Sequence, residues 1–371
     1  INLGAWLILL AFGIKAAFPF MHNWLQDSYP EATVTGTVFL SAFTTKLAIY
    51  ALARGFAGTS FLIPIGLVMT LFPIIFAVIE NDLRRVLAYS LNNQLGYMVV
   101  GVGIGTQLAL NGAASHAFAH ILYKGLLFMA MGAVLYRTGT IKANELGGLY
   151  KSMPLTCVFC IIGSLSISGF PLFSGFVTKS MTMTAAFQMN ESWLFIGLLI
   201  ASAGVVDHSG IKIPFFAFFA HDSGKRVKEA PLNMLLAMGI AAVCCMALGF
   251  EFFYKHLYAL LPFEVREGIN PDGTNMVWHN YSASHVLTYL QLLLFAALAF
   301  VVLMKTKLYP AELPKINLDT DVIYRRIFPN VLRRLGTALN DGFFSALAVV
   351  RNFTLGKIDG VTAMHRPNRV F

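Results

Sequence analysis

The sequence predicts an all-α, polytopic membrane bundle with broken helices, and three observations lead there. Of its 371 residues, 57% are hydrophobic and 12% charged, with a mean hydropathy of +0.68, whereas soluble domains carry about 25% charged residues. Apolar stretches near the ~20 residues that cross a bilayer recur along the whole chain. Ionisable groups stand inside those stretches: Lys15, Lys46, Lys124 and Lys179. A lysine at the centre of a spanning helix costs about 2.5–3.5 kcal/mol on insertion scales, and such groups face bundle interiors or wet cavities, where they mark ion or proton pathways.

Nine spans are predicted, at about 2–20, 34–53, 61–79, 86–105, 112–136, 154–188, 193–220, 232–250 and 283–303. The first opens directly on INLGAWLILLAFGIKAAFPF, with Ile at position 1, no charged lead and no cleavage pattern. It therefore reads as a span of the C-terminal part of a longer chain, not as a signal peptide. The 154–188 stretch is too long for one straight helix, and Gly169, Pro171 and Gly175 in SISGFPLFSGF should break it. A second interruption is expected at DHSGIKIP, Asp207 to Pro214, within 193–220. Residues 304–371 read as a basic tail with amphipathic patches, cytoplasmic or interfacial, beside a transmembrane bundle of 1–303.

The net charge of +9 follows the positive-inside rule more economically than nucleic-acid binding. Alternating the nine spans puts Arg84, Arg85, Arg137, Lys142, Lys151, Lys225, Arg226 and Lys228 on the side of the tail, and only Arg54, Lys255 and Arg266 on the other. That bias places the tail in the cytoplasm. The four cysteines, Cys157, Cys160, Cys244 and Cys245, sit in apolar runs. Cys157 and Cys160 form a C-x-x-C pair with no second ligand pair, and read as small helix residues instead of a redox or zinc site.

The densest chemistry lies in HAFAHILYK, where His116, His120 and Lys124 are spaced at i, i+4 and i+8. Residues so spaced share one helix face, about 6 Å apart per turn. A titratable stripe of that kind suits a proton relay, since histidine changes charge near neutral pH and burial brings a lysine towards that range. The structural alternative is a polar stripe that bonds helices together, for which a lysine is an expensive choice. Two histidines on one face cannot take both axial positions of one iron, so no haem is expected.

Lys15 lies between Gly13 and Pro19, where a helix can unwind; Lys46 has the Thr44 and Thr45 hydroxyls as candidate partners; Lys179 follows the expected break. Snorkelling to an interface is the alternative for any one of these lysines. Asp207, His208 and Lys212 form a further polar group, with Asp207 and Lys212 a candidate pair. Asp27 and Glu31 could line a cavity mouth or cap the next helix, and Glu80 and Asp82 read as a loop or cap.

The stretches FGIKAAFPFMHNWLQDSYPEA, SAFTTKLAIYAL, ENDLRRVLAYSLNNQLGYM, HAFAHILYKGLLF and GGLYKSMPLT with SISGFPLFSGFVTKS resemble the antiporter-like subunits shared by respiratory complex I and the Mrp-type cation/proton antiporters. The resemblance covers roughly residues 1–190, and DHSGIKIPFFAFFAHD with KEAPLNMLLAMG is more similar to the D-type branch of the Mrp subunits. It implies inverted helical repeats, each with one broken helix, of which this chain would hold the second. By the same resemblance Lys15 is the first-half lysine, Lys46 the connecting one, Lys124 with His116 and His120 the central relay, and Lys179 the terminal group. Gln26 stands where the family pattern has proline.

The function so implied is that of a proton-translocating membrane subunit of a multisubunit Na⁺/H⁺ antiporter in the bacterial inner membrane. Lys124 would exchange protons through waters with Lys46 on one side and Lys179 on the other. The implied partners are other membrane subunits, lipid, and protons with Na⁺ or K⁺. One alternative is a proton-pumping subunit of a complex I-like NADH:quinone oxidoreductase; another is a non-conducting scaffold. The chain has no Rossmann fingerprint and no Fe–S cysteine set, so no cofactor or metal of its own is expected.

Overall fold

The computed structural model describes residues 2–269, 275–313 and 317–364, which fall into two units, Ile1–Asn317 and Leu318–Phe371. The first unit contains α1 (Leu3–Lys15), α2 (Asn23–Glu31), α3 (Gly36–Phe56), α4 (Leu62–Ile79), α5 (Leu83–Ile104) and α6 (Gln107–Thr138). It continues with α7 (Pro154–Ser168), α8 (Ser174–Gln188), α9 (Ser192–Phe219), α10 (Leu232–Ala247), α11 (Glu251–Tyr258) and α12 (Ala283–Lys305). Between α11 and α12, β1 (Arg266–Ile269) pairs antiparallel with β2 (Asn275–Val277). In the second unit a π turn, Ile323–Ile327, leads into α13 (Phe328–Met364), one helix of 37 residues. Leu332, Leu335, Leu339 and Phe343 of α13 recur at helical spacing. The last residues of the predicted tail, 365–371, lie outside the described residues.

Each predicted span is at least partly helical, but the spans are not alike. α3, α4, α6, α9 and α12 are each long and apolar enough to cross a membrane, and α10 with α11 passes only as a pair bent by 90°. α1 and α7 are shorter, at 13 and 15 residues. α5 has 22 residues and carries Ser90, Asn92, Asn93 and Gln94 at its centre, and all of it except Arg85 is buried. Protein surrounds it on every side, so its composition need not suit lipid.

The α4–α5 contact explains that burial. A Cβ on Gly96 would lie 2.5 Å from the Gly66 carbonyl oxygen and 2.6 Å from the Thr70 backbone nitrogen. The two backbones touch, as small residues permit between membrane helices. Gly96→Ala is expected to cost roughly 1–3 kcal/mol through overpacking, read as a lower unfolding temperature in detergent.

The ENDLRR run is a cap: the Asp82 carboxylate accepts from the backbone N–H groups of Arg84 and Arg85 at 2.8 and 2.9 Å. Arg84 is buried and turns the other way, donating to the carbonyls of Pro30 at 2.8 Å and Ala32 at 2.9 Å and to the Thr37 hydroxyl. Its forked donors satisfy carbonyls that the end of α2 leaves open. Asp27 and Glu31 lie inside α2 itself. The next helix opens instead on the Thr33 hydroxyl, which accepts from Gly36 N–H at 3.0 Å.

Of the two expected interruptions, the first is a true break. α7 ends at Ser168 and α8 begins at Ser174, with Gly169 at φ 76°, a left-handed conformation that glycine adopts without a Cβ penalty. The second is a correction. α9 runs on through DHSGIKIP, widened into π turns at Val206–Ile211 and Phe215–Phe219 on either side of Pro214. Proline lacks the N–H that an α ladder needs there, and the wider turns accommodate its loss without ending the helix.

Candidate functional site

The stripe on α6 faces the core. His116, His120 and Lys124 are all buried, Lys124 to 0% exposure, and the two imidazole centroids are 6.3 Å apart. Lys124 Nζ donates to Ser90 Oγ at 2.7 Å, Ser209 Oγ donates to Ser90 Oγ at 2.6 Å, and His208 Nδ1 lies 2.9 Å from Ser209 Oγ. A hydroxyl both donates and accepts. These four side chains thus form one hydrogen-bonded path across α6, α5 and α9, and the first π turn of α9 carries Ser209 and His208 into it.

The other end of the stripe leads to Lys179. His116 Nδ1 is 3.2 Å from Thr178 Oγ1, and its Nε2 is 3.1 Å from Gln94 Oε1, which also accepts from Tyr123 OH at 3.2 Å. The Tyr97 ring lies 6.2 Å from His116, and Lys179 Nζ sits 4.9 Å over that ring while donating to Ser202 Oγ at 3.0 Å. A cation above an aromatic face is attracted by the ring quadrupole, which partly replaces lost water.

Lys46 is buried on α3. Its Nζ donates to the Ser41 carbonyl, not to the Thr44 or Thr45 hydroxyls proposed from the sequence. The reason is the π turn Leu40–Thr44 just before it, where the change of ladder frees a carbonyl. Both ring nitrogens of His120, Ser41 Oγ, Thr45 Oγ1 and the Asn92 amide are buried with no protein partner among the described residues. Buried polar atoms in native proteins that lack a protein partner are served by ordered water. Water at His120 and beside Lys46 would satisfy these atoms.

The remaining candidates fall outside this core. Lys15 ends α1 and is exposed, apart from the other three lysines. Gln26 lies inside α2, which continues through it, so the departure from proline leaves that helix intact. Lys212 does not pair with Asp207. Its Nζ lies 2.8 Å from Glu312 Oε1, with the two side chains 0% and 6% exposed, and donates to the carbonyls of Val78 and Glu80 at 2.7 Å each. The widened α9 turns Lys212 towards the end of α4, where those carbonyls are open. Asp207 is half-buried beside it.

Sequence reasoning missed Ser90, Ser209, Tyr97, Ser202 and Glu312. Tyr97 and Ser202 are single hydroxyls in apolar stretches and carry little signal. The polar run Ser90 to Gln94 was the available clue, since four polar residues in the middle of a buried helix need partners.

Fold and site together define a class: a polytopic helical membrane protein whose core holds a ladder of lysines and histidines joined by hydroxyls. Residues 1–204 match the family described as NADH:quinone oxidoreductase/Mrp antiporter, TM, and the chain belongs to that family. It is 34% identical over 229 residues to the D-type subunit of the Na⁺/H⁺ antiporter of Alkalihalophilus pseudofirmus, covering 59% of this chain and 46% of that protein. It is also 34% identical over 207 residues to the N-type subunit of the NADH-quinone oxidoreductase of Desulforudis audaxviator, covering 53% of this chain and 41% of that one. Among solved structures, the Mrp complex from a Dietzia species matches with a TM-score of 0.63 and 25% identity, over 68% of this chain and 57% of the other. Thermus thermophilus respiratory complex I shares the fold, with a TM-score of 0.59 and 22% identity over 67% of this chain and 55% of the other. The chain spans about half the length of the curated relatives it matches.

Proposed function

We propose that this chain is the proton-translocating part of a multisubunit monovalent cation/proton antiporter subunit, in which protons pass along Lys46, His120, Lys124, His116 and Lys179. The observation that carries the reading is the buried stripe of His116, His120 and Lys124 on one face of α6, with Lys124 hydrogen-bonded to Ser90 and His116 to Thr178 beside Lys179. Lys124 is the switch. Protonated, it donates to Ser90; deprotonated, it accepts a proton through the same hydroxyl. A charge arriving on one lysine disfavours charge on its neighbour, so protons move on by repulsion. Asp207, His208 and Lys212 are accessory, and Lys15, exposed at the end of α1, is an outlying member of the same pathway.

The likeness to a D-type antiporter subunit supports the cation-coupled form. A second reading, a redox-driven pump subunit, is supported by the likeness to an N-type NADH-quinone oxidoreductase subunit. Either way the partners are further membrane subunits, the site is a bacterial inner membrane, and the basic loops and tail face the cytoplasm. The test uses the full-length parent with its partner subunits in energised inside-out vesicles and a pH-sensitive dye. Collapse of the proton gradient on adding NaCl or KCl supports the antiporter. A gradient built on NADH and indifferent to either cation supports the pump and overturns the antiporter.

A further inference from the structure

Lys212 sits in a cage of oxygens. Its Nζ donates to the carbonyls of Val78 and Glu80 at 2.7 Å each and of Ala77 at 3.2 Å, and lies 2.8 Å from Glu312 Oε1. The Phe216 ring adds an aromatic face, with Nζ 6.0 Å from its centroid, and such a face attracts any cation. Local turn chemistry opens the cage. A continuing α4 would bring the N–H groups of Asn81 and Asp82 to the carbonyls of Ala77 and Val78. Both N–H groups donate instead to Glu80 Oε1, at 2.8 and 3.1 Å, which leaves those carbonyls to the lysine. Asn317 Nδ2 donates to Glu80 Oε2 at 2.9 Å. That bond ties the strap after α12, which carries Glu312, to the same helix end.

Three carboxylates face the ammonium: Glu80 after α4, Asp207 one turn earlier on α9, and Glu312 on the strap. His208, also on α9, feels the Lys212 charge as well. A cavity of about 380 Å³ reaches Glu312 between Phe216, Tyr309 and Asn144 of the basic loop between α6 and α7, with Lys307 and His221 also in its wall. Backbone carbonyls with a carboxylate are ligands for hard cations as well as for an ammonium. K⁺ is close to an ammonium in size, so oxygens spaced for Nζ suit it, whereas they would have to draw in around Na⁺.

The geometry points to a monovalent-cation site of K⁺ size, built from the carbonyls of Ala77, Val78 and Glu80 with Glu312, in which the Lys212 ammonium is the built-in occupant. The cage holds one positive charge at a time. When K⁺ enters, the ammonium gives one proton to water in the cavity and leaves as a neutral amine. When K⁺ departs, the amine takes a proton and returns, so one cation exchanges for one proton. The exchange rests on the proposed function, and it gives that function a place where cation and proton compete.

The test is thermal unfolding of the full-length parent with its partner subunits, in detergent with KCl, RbCl, NaCl or N-methylglucamine chloride at one ionic strength. In Lys212→Met the cage keeps its oxygens and loses its occupant. K⁺ and Rb⁺ are expected to raise the unfolding temperature of this variant by several degrees over N-methylglucamine, Na⁺ by less, and the unsubstituted protein should respond far less. Adding Glu312→Gln should remove most of the response. Equal unfolding temperatures in all the salts overturn the site, and so does a preference for Na⁺ over K⁺.

If Lys212→Met yields no folded protein, the unsubstituted chain carries the test. K⁺ and the Lys212 proton compete, so the stabilisation by K⁺ over N-methylglucamine should grow as pH rises and stay flat in Glu312→Gln. A response independent of pH in the unsubstituted chain overturns the competition. If the vesicle assay overturns the antiporter while K⁺ still stabilises Lys212→Met, the proposed function fails and the cation site stands.

Discussion

Lys124→Ala is expected to reduce proton flux to background while the assembled complex keeps its composition and amount. The chemistry predicts the loss, because the amine at the α6 end of the Ser90–Ser209–His208 path disappears. Normal assembly follows from the same geometry. Removing a buried charge outright differs from stranding its partner. Ser90 keeps the hydrogen bond from Ser209 at 2.6 Å, and among the described residues no carboxylate is left unpaired. Ser90→Ala should give a partial defect, since a water admitted in its place can bridge the same hydrogen bonds. Flux measured in vesicles, beside native-gel assembly of the same membranes, checks both. Wild-type flux in Lys124→Ala would exclude it from the pathway.

The second large effect is on stability, at the Lys212–Glu312 pair. Breaking a buried ion pair by removing one partner costs about 3–5 kcal/mol. Lys212→Met removes the ion pair with Glu312 and also opens the carbonyls of Ala77, Val78 and Glu80 at the end of α4 that Lys212 serves. Glu312→Gln leaves the lysine those carbonyls and keeps a polar neighbour at 312. Lys212→Met should therefore lower the unfolding temperature in detergent more than Glu312→Gln. The double variant should be less damaged than the two single effects added, as coupled neighbours are. Simple additivity would mean that the pair is not coupled.

How far the sequence could be read depends on how local each signal is. A lysine in an apolar run is visible in a window of twenty residues, and so is the glycine-proline break after Ser168. These located the spans, the true break and the buried stripe on α6. The partners of the lysines are another matter. Ser90 and Ser209 are 119 residues apart in sequence, and neither is unusual in its own segment; packing alone makes them neighbours. The same holds for Glu312, which lies in the strap after α12. The misread DHSGIKIP segment has a different cause. Proline and glycine state that an α ladder must change, but not whether the chain turns away or widens by one residue. Lys15 was read from its apolar surroundings, and its exposure shows that such surroundings do not fix which way a side chain at a helix end points.

The burial of α5 also has a consequence for how this protein is made. With asparagines and a glutamine at its middle, this segment offers the translocon little reason to release it into lipid by itself. Yet its neighbour α4 is strongly apolar, and the bare backbones at Gly66 and Gly96 let the two helices meet at once. α5 must therefore leave the insertion machinery as the passenger of a hairpin, sheltered by α4 before and α6 after. Biogenesis of the core is in that sense an ordered act. The helix that brings Ser90 and Gln94 to the proton path is inserted on the strength of its neighbours, and its polar middle is satisfied only once they have closed around it.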